Sequence, residues 1–264
     1  MKNILITGAG SYIGTAVSDY LSQFPDRYAV TTIDMVDGSW RDHDFSPYDT
    51  VYHVAGIAHQ KETAENAPLY YRVNRDLAIE TAKKAKASGV RQFIVLSSMS
   101  VYGTDTGVIT LQTEPAPVTH YGISKWQAEQ GIAPLADDSF HVCVLRPPMV
   151  YGPGCKGNYQ TLVKLAKLLP ILPNYRNRRS MLSIDRLAQL VTQYIDTDAA
   201  GLFFPQDEQY VCTCDMIMQI RRDMGKRFCR TSLMNPFIHL FAKCIRTGRK
   251  AFGDLIYQLD ETEE

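Results

Sequence analysis

The sequence predicts an α/β fold, a doubly wound parallel sheet with helices on both faces, followed by a small C-terminal substrate-binding region. Three observations carry this expectation. Short apolar runs rich in β-branched residues alternate with helical patterns, the first run empties into a glycine turn that opens a helix, and an acid closes the second run.

Taken in order, Ile4-Leu5-Ile6 reads as a strand and Thr7-Gly8-Ala9-Gly10-Ser11-Tyr12-Ile13-Gly14 as a tight turn, with Val17, Tyr20, Leu21 and Phe24 as the apolar face of the helix that follows. Gly8 permits the turn, Gly10 lets backbone approach a pyrophosphate, and Gly14 lets helix pack on strand. The helix amino terminus offers unpaired N–H groups and a positive dipole end to phosphates. Asp34 ends the run 30–33, about twenty residues beyond Gly14; an acid there accepts ribose hydroxyls and repels a 2′-phosphate, favouring NAD over NADP. Together these features predict a Rossmann-type NAD-binding domain over residues 1–150; the remainder, 151–264, is expected to return partly to the sheet near 180–204 and is left as the substrate-binding region. Further strands are read at 50–53 and 141–144, and helices at 69–87, closed by Ser88-Gly89, and at 123–135. Such alternation implies parallel pairing through right-handed crossovers.

Chemistry enters with Ser97-Ser98-Met99-Ser100-Val101-Tyr102-Gly103 and Tyr121-Gly122-Ile123-Ser124-Lys125. Four-residue spacing on a helix puts Tyr121 and Lys125 on one face, and a serine at a strand end completes a proton-transfer constellation suited to a carbinol. A lone Tyr-x-x-x-Lys is more often a surface lysine beside a half-buried tyrosine; the nucleotide turn upstream is what gives this one weight. A phenol with a pKa of about 10 is a poor base at neutral pH, and a neighbouring ammonium favours its phenolate.

On these motifs the chain resembles the extended short-chain dehydrogenase/reductase family, in its NAD-dependent nucleotide-sugar epimerase and dehydratase branch, from Thr7 to about Gly253. The family's Thr-Gly-x-x-Gly-x-x-Gly turn is matched at Thr7, Gly8 and Gly14, with Ser11 in place of the middle glycine and Gly10 one position early. The resemblance implies that Gly8, Gly10, Ser11, Tyr12, Ile13 and Gly14 surround the pyrophosphate. It also implies that Val54, Ala55 and Gly56 line the nicotinamide side and that Asn74 lies beneath the active site. Tyr121 is implied as the acid/base and Lys125 as a ligand of the nicotinamide ribose. Ser98, four residues before Tyr102, would bond the reacting oxygen, with Ser97 and Ser100 in support. Where the family often carries a Gly-Asp-apolar motif near adenine, Gly38-Ser39-Trp40 stands here and leaves the adenine contacts unassigned. Dehydratases of the branch have an Asp-Glu pair after the catalytic hydroxyl; Met99 and Ser100 occupy those positions, which argues against elimination of water.

The second half resembles the branch's substrate loops. Pro148 and Met149, in the run from Leu145 to Gly154, border the nicotinamide or simply stiffen a loop. Asn158, in Lys156-Gly157-Asn158-Tyr159, is implied to reach a diphosphate, or else caps the helix marked by Leu162, Val163, Leu165 and Ala166. The segment 169–173 borders uridine in the family. Arg179, six residues before Asp185, matches the family's phosphate-binding arginine, whose fork of donors suits a diphosphate, with Arg178 as a solvated neighbour. The wording around Asn158 and Arg179 resembles enzymes acting on UDP-N-acetylhexosamines and their 4-keto-6-deoxy derivatives in polysaccharide biosynthesis.

The implied activity is that of an NAD-dependent UDP-sugar 4-epimerase, reversible hydride transfer at C4 through a 4-keto intermediate. Two alternatives stay open. One is an NAD(P)H-dependent 4-ketoreductase of a UDP-4-keto-6-deoxy-N-acetylhexosamine, which uses the same residues once. The other is a non-catalytic NAD-binding regulator, suggested by a chain shorter than related enzymes and opposed by the retention of Ser98, Tyr121 and Lys125. Dimerisation through a helix pair is a further expectation from the family.

Composition agrees with a single globular unit: 264 residues, 45% hydrophobic, with 28 basic and 28 acidic side chains, so the chain has no global field for nucleic acid. No apolar run suggests a targeting or membrane-spanning segment, and a cytoplasmic protein is expected. Six cysteines, at 143, 155, 212, 214, 229 and 244, lack paired Cys-x-x-Cys spacing and are read as reduced, mostly buried thiols with no metal. Basic residues from Arg221 to Lys250 flank the apolar run 233–242; the stretch is suited to a membrane surface or a glycosyltransferase partner, or is a packed helix with solvated cations. The acidic tail 260–264 reads as solvated.

Overall fold

The structure, a computed structural model, describes residues 1–58 and 60–259; the acidic tail lies outside the described residues. In chain order the elements are β1 (Lys2–Thr7), α1 (Tyr12–Leu21), β2 (Tyr28–Ile33), β3 (Thr50–His53), α2 (Ala67–Tyr70), α3 (Leu77–Ala87), β4 (Gln92–Leu96), β5 (Gly107–Ile109), α4 (His120–Ile132), β6 (His141–Leu145) and β7 (Met149–Tyr151). They continue with α5 (Asn158–Leu168), β8 (Ile171–Pro173), β9 (Met181–Ser183), α6 (Ile184–Asp196), β10 (Gly201–Phe203), α7 (Thr213–Asp223), β11 (Cys229–Thr231), α8 (Asn235–Cys244), α9 (Arg246–Phe252) and β12 (Leu255–Tyr257).

The chain divides into two compact units, the first comprising residues 1–103, 115–148 and 183–205. Its core is a six-stranded sheet in the order β10-β6-β4-β3-β1-β2, every pair parallel. Alternation along the strands sends Leu5, Val51, Phe93 and Val142 to one face, where they join Ala78, Ala82, Ala128 and Ile132 of α3 and α4. Ile4, Ile6, Tyr52, Ile94 and Cys143, all buried, point to the opposite face, which carries α1 packed on α6. The fold is therefore the doubly wound, Rossmann-type sheet that the sequence predicts. Chain order reverses beside β1, with β2 on one side and β3 on the other, and such a switch point leaves a crevice at the strand carboxyl ends.

Two elements differ from their sequence reading. The helix expected over 69–87 is interrupted by a π-helical turn, Tyr71–Asp76, whose extra residue leaves the hydrophobic period almost unmarked. The helix expected over 123–135 begins three residues earlier, at His120, because Thr119 caps it by accepting the Gly122 N–H at 3.1 Å; Pro134 then falls in a 3-10 turn.

The second unit comprises residues 104–114, 149–182 and 206–264. It holds three two-stranded pairings, β11-β8, β12-β5 and β7-β9, and a small core of Leu162, Ala166, Leu172, Ile217, Met218 and Ile220. Met181–Ser183 thus belongs to the pair with β7, and Gly201–Phe203 makes the return to the central sheet. All six cysteines are free; Cys143, Cys155 and Cys214 are buried, whereas Cys229 and Cys244 are exposed, fewer buried than expected. Among the described residues no helix is long and apolar enough to cross a membrane.

Candidate active site

The nucleotide end of the site is built by the turn between β1 and α1. Gly8 has φ +85°, and a Cβ there would lie 3.0 Å from the Ala55 Cα, so only glycine lets the ends of β1 and β3 approach this closely. Gly10 has φ +73° with open space where a side chain would project. Ser11 adopts φ −70°, a conformation open to any residue, which explains why the family's middle glycine is dispensable here. Its hydroxyl caps α1 by accepting the Gly14 N–H at 3.1 Å, and Gly14, buried, packs on Ser11 and Val54. Tyr12 and Ile13 form the first turn of α1, half-buried. Asp34, exposed just beyond β2, accepts the N–H groups of Met35 and Val36 at 2.6 and 3.0 Å through Oδ1. Open space at Gly10, the helix amino terminus and this carboxylate fit a dinucleotide without a 2′-phosphate. Trp40 is 2% exposed within the core, which removes it from the surface an adenine would touch.

The chemical end gathers around α4. Lys125 is buried, and its Nζ donates to the Leu96 carbonyl at 2.8 Å, so the ammonium is anchored to the end of β4. Burial pushes the Lys125 amine down to about 8, with the Glu129 charge pulling the other way. Gly56 is exposed beside it; a Cβ there would stand 2.9 Å from Asn74 Oδ1 and 3.3 Å from Lys125 Nζ, so only glycine lets the loop after β3 lie this close to Asn74 and Lys125. Asn74 lies in the π-helical turn, accepting from Ile57 N at 2.8 Å and donating to Ile57 O at 3.0 Å. Its Nδ2 also reaches Ser124 Oγ at 3.2 Å, and that hydroxyl donates to the Tyr121 carbonyl at 2.9 Å. One asparagine therefore ties the loop after β3 to the first turn of α4.

Tyr121 stands at that first turn, half-buried, its ring edge-on to Tyr70 at 6.4 Å. Burial pushes its phenol above the ordinary value, and the hydrogen bond with Ser98 pulls it back down. The leading influence is thus desolvation, whereas the sequence reading gave that place to the Lys125 charge. Ser98 begins a 3-10 turn after β4; its Oγ accepts the Ser100 N–H at 3.1 Å and bonds Ser100 Oγ at 3.2 Å. Gly122 allows the approach, since a Cβ there would be 2.6 Å from the Ser100 carbonyl. Ser98, Tyr121 and Lys125 are brought together in this way, with Ser100 beside them. Pro148 is buried at the end of the segment 115–148 of the first unit, next to Pro147, whose carbonyl accepts the Met99 N–H at 2.9 Å.

Three partners of this cluster escaped the sequence reading. Glu62 accepts the His120 and Tyr121 N–H groups at 3.0 and 2.9 Å, so a carboxylate sits at the positive end of α4. Glu129, one turn beyond Lys125, forms a buried ion pair with Arg146 at 2.5 Å and also receives the Ser97 hydroxyl. Arg146 in turn donates to Tyr102 Oη at 2.6 Å. The four-residue step from Lys125 to Glu129 was available as a signal; the pairing of Glu62 with a backbone about sixty residues away was not.

In the second unit, Asn158 is exposed at the first position of α5, following Gly157 at φ +83°, so it is not the helix cap. Arg179 bridges Val211 and Leu255 and donates Nη1 to the Gly253 carbonyl at 3.0 Å. Burial lowers its pKa from the ordinary arginine value, offset by Asp105 and Asp254. Arg178 is exposed and paired with Asp254 at 3.5 Å.

The chain is similar to known proteins. Residues 4–201 match the model of the NAD-dependent epimerase/dehydratase family. A UDP-glucose 4-epimerase of Vibrio cholerae is 34% identical over 251 residues, covering 85% of this chain and 76% of that one. The N-acetyl-alpha-D-glucosaminyl-diphospho-ditrans,octacis-undecaprenol 4-epimerase of Escherichia coli O157:H7 is 24% identical over 95% of this chain and 81% of its own. Among solved structures, a UDP-glucuronic acid 4-epimerase from Bacillus cereus in complex with NAD superposes with a TM-score of 0.72 at 20% identity, covering 87% of this chain and 85% of that chain. A dTDP-4-dehydrorhamnose reductase from Clostridium acetobutylicum gives 0.70 at 22% identity over 87% and 82%. These two share the fold.

Proposed function

The chain belongs to the NAD-dependent epimerase/dehydratase family, and from that premise we propose that it is a nucleotide-sugar 4-epimerase acting on a UDP-hexose or UDP-N-acetylhexosamine. The observation that carries this reading is the convergence of Ser98, Tyr121 and Lys125, with Gly56 packed closely against Lys125. NAD, when bound, supplies the acceptor that takes hydride from C4 and returns it. Tyr121 Oη takes the proton of the C4 hydroxyl and gives it back after the keto sugar has turned its other face. Ser98 holds the reacting oxygen, and its hydrogen bond eases ionisation of the phenol. Lys125, fixed by the Leu96 carbonyl, is assigned to the ribose of the cofactor. Asn158 and Arg179 are assigned to the sugar nucleotide's diphosphate, Arg179 through the guanidinium edge not engaged by Gly253.

Met99 and Ser100 supply no carboxylates for elimination, which separates this site from a dehydratase. The test is the nucleotide released on denaturing fresh protein, followed by incubation of native protein with UDP-glucose and UDP-N-acetylglucosamine. Retained NAD together with C4-inverted product establishes the epimerase. Protein that takes up reduced cofactor from solution, inverts neither sugar and reduces a 4-keto sugar is a ketoreductase instead.

A further inference from the structure

The segment from α7 to α9 carries a surface that the catalytic reading leaves unused. Residues 221–250 hold nine lysines and arginines against one acid, Asp223, in a chain whose formal charge is zero; Arg221 is buried against the Ala166 and Arg227 carbonyls, and the other eight reach the surface. Amid these cations Leu233 is 86% exposed, Phe237 75% and Leu240 60%. Spacings of four and three set them along one side of α8 and its approach. Met234 and Ile245 are exposed as well.

The other side of α8 is already occupied. Ala242 is buried, Phe241 meets Phe252 edge-on at 6.4 Å, and Gly248 of α9 packs so closely that a Cβ would lie 2.2 Å from the Phe241 carbonyl. The exposed stripe is therefore not a core face waiting to be turned inward. Ile171 pairs with Cys229 across β8 and β11, and Leu168, Leu169 and Ile171 are exposed as well.

Arg230 is paired with Asp215 at exposed positions, and the exposed Arg246 and Lys250 share the half-buried Asp105; cations at such exposed positions yield readily to other anions. Among the described residues, Lys226, Arg227 and Lys243 form no ion pair. We propose that this surface docks on an anionic lipid bilayer. Leu233, Phe237 and Leu240 enter the boundary between headgroups and acyl chains, and the surrounding cations engage lipid phosphates. The combination selects that occupant: large bare apolar side chains gain nothing from a nucleic acid, and a neutral apolar partner would leave the dense positive charge without a counterpart. A helix of ten residues lies in the interface plane.

The full chain is sedimented with vesicles of phosphatidylcholine, with or without phosphatidylglycerol, at low and high salt. Binding to anionic vesicles at least about tenfold tighter than to neutral ones, weakened by salt, is expected. F237S with L240S, and separately K226E with K243E, should each lower that binding about tenfold while circular dichroism and NAD content stay as in the wild type. Absent or charge-independent binding would overturn the proposal, as would variants that bind normally. Concentration-dependent dimerisation abolished by F237S would assign the stripe to a second copy, also overturning it. None of these outcomes depends on turnover, so the docking surface and the epimerase reading stand or fall separately.

Discussion

The carboxylate of Glu62 accepts the backbone N–H of Tyr121 at 2.9 Å. With the matching bond to His120, it clamps the chain between β3 and α2 onto the first turn of α4, where a negative charge also complements the helix dipole. Glu62→Ala is expected to lower unfolding free energy by about 1 kcal/mol, as loss of a helix cap does. Because the freed backbone carries Tyr121, the proposed acid/base, kcat should fall several-fold more than NAD retention. Glu62→Gln, which keeps one acceptor, should recover part of kcat. Urea unfolding and turnover of the two variants check this; an Ala variant with wild-type kcat removes Glu62 from the positioning of Tyr121.

Tyr121→Phe keeps the ring that packs on Tyr70 and removes only the oxygen. Removing a general acid/base costs about 10²–10⁴ in rate, so turnover should drop by that range while NAD content and stability hold. Near-normal activity in the variant would move the proton transfer to another group.

Glu129 and Arg146 are both about 6% exposed, and their pair is bidentate, with Arg146 held further by Tyr102. Glu129→Gln leaves a buried guanidinium short of its counter-charge, and breaking such a pair from one side costs about 3–5 kcal/mol. The Lys125 amine also loses the carboxylate that holds its pKa up, so activity should decline at a lower pH on the alkaline side. Denaturant unfolding and a pH–rate profile test both parts. An unchanged alkaline limb would show that Glu129 acts on the fold alone.

How much could be read from the chain follows the range of each interaction. The β1 turn and Asp34 depend on neighbours within a few dozen residues, and Gly8 at φ +85° is what its local sequence demands. Tyr121 and Lys125 share a helix, so their spacing announced them. The π-helical turn was not legible, because one extra residue in a turn leaves composition untouched, yet it lies where Asn74 meets Ile57. Glu62 was silent for a different reason: its partners are backbone N–H groups far along the chain, which leave no mark on side-chain pattern. The Tyr121 phenol was misjudged in cause because burial is a property of the whole fold, whereas the neighbouring lysine is visible in the sequence.

His53 closes β3 in full burial, its Nδ1 2.9 Å from Thr7 Oγ1 and its ring stacked on Phe93 at 5.8 Å. Burial first, and the Lys125 charge second, push its imidazole down to about 3 from the ordinary 6.5. The native state therefore keeps His53 neutral where the unfolded chain has taken up a proton. Between pH 6.5 and about 3 the unfolded state binds more protons, so this group's contribution to stability is full above 6.5 and is lost as the pH falls. The slope it adds is at most about 1.4 kcal/mol per pH unit. His53→Asn cannot titrate, so although it is less stable at neutral pH, its urea midpoint should fall less steeply than the wild type's on acidification through that window. Parallel slopes would mean that the acid sensitivity of this sheet arises from its carboxylates and not from the histidine at its centre.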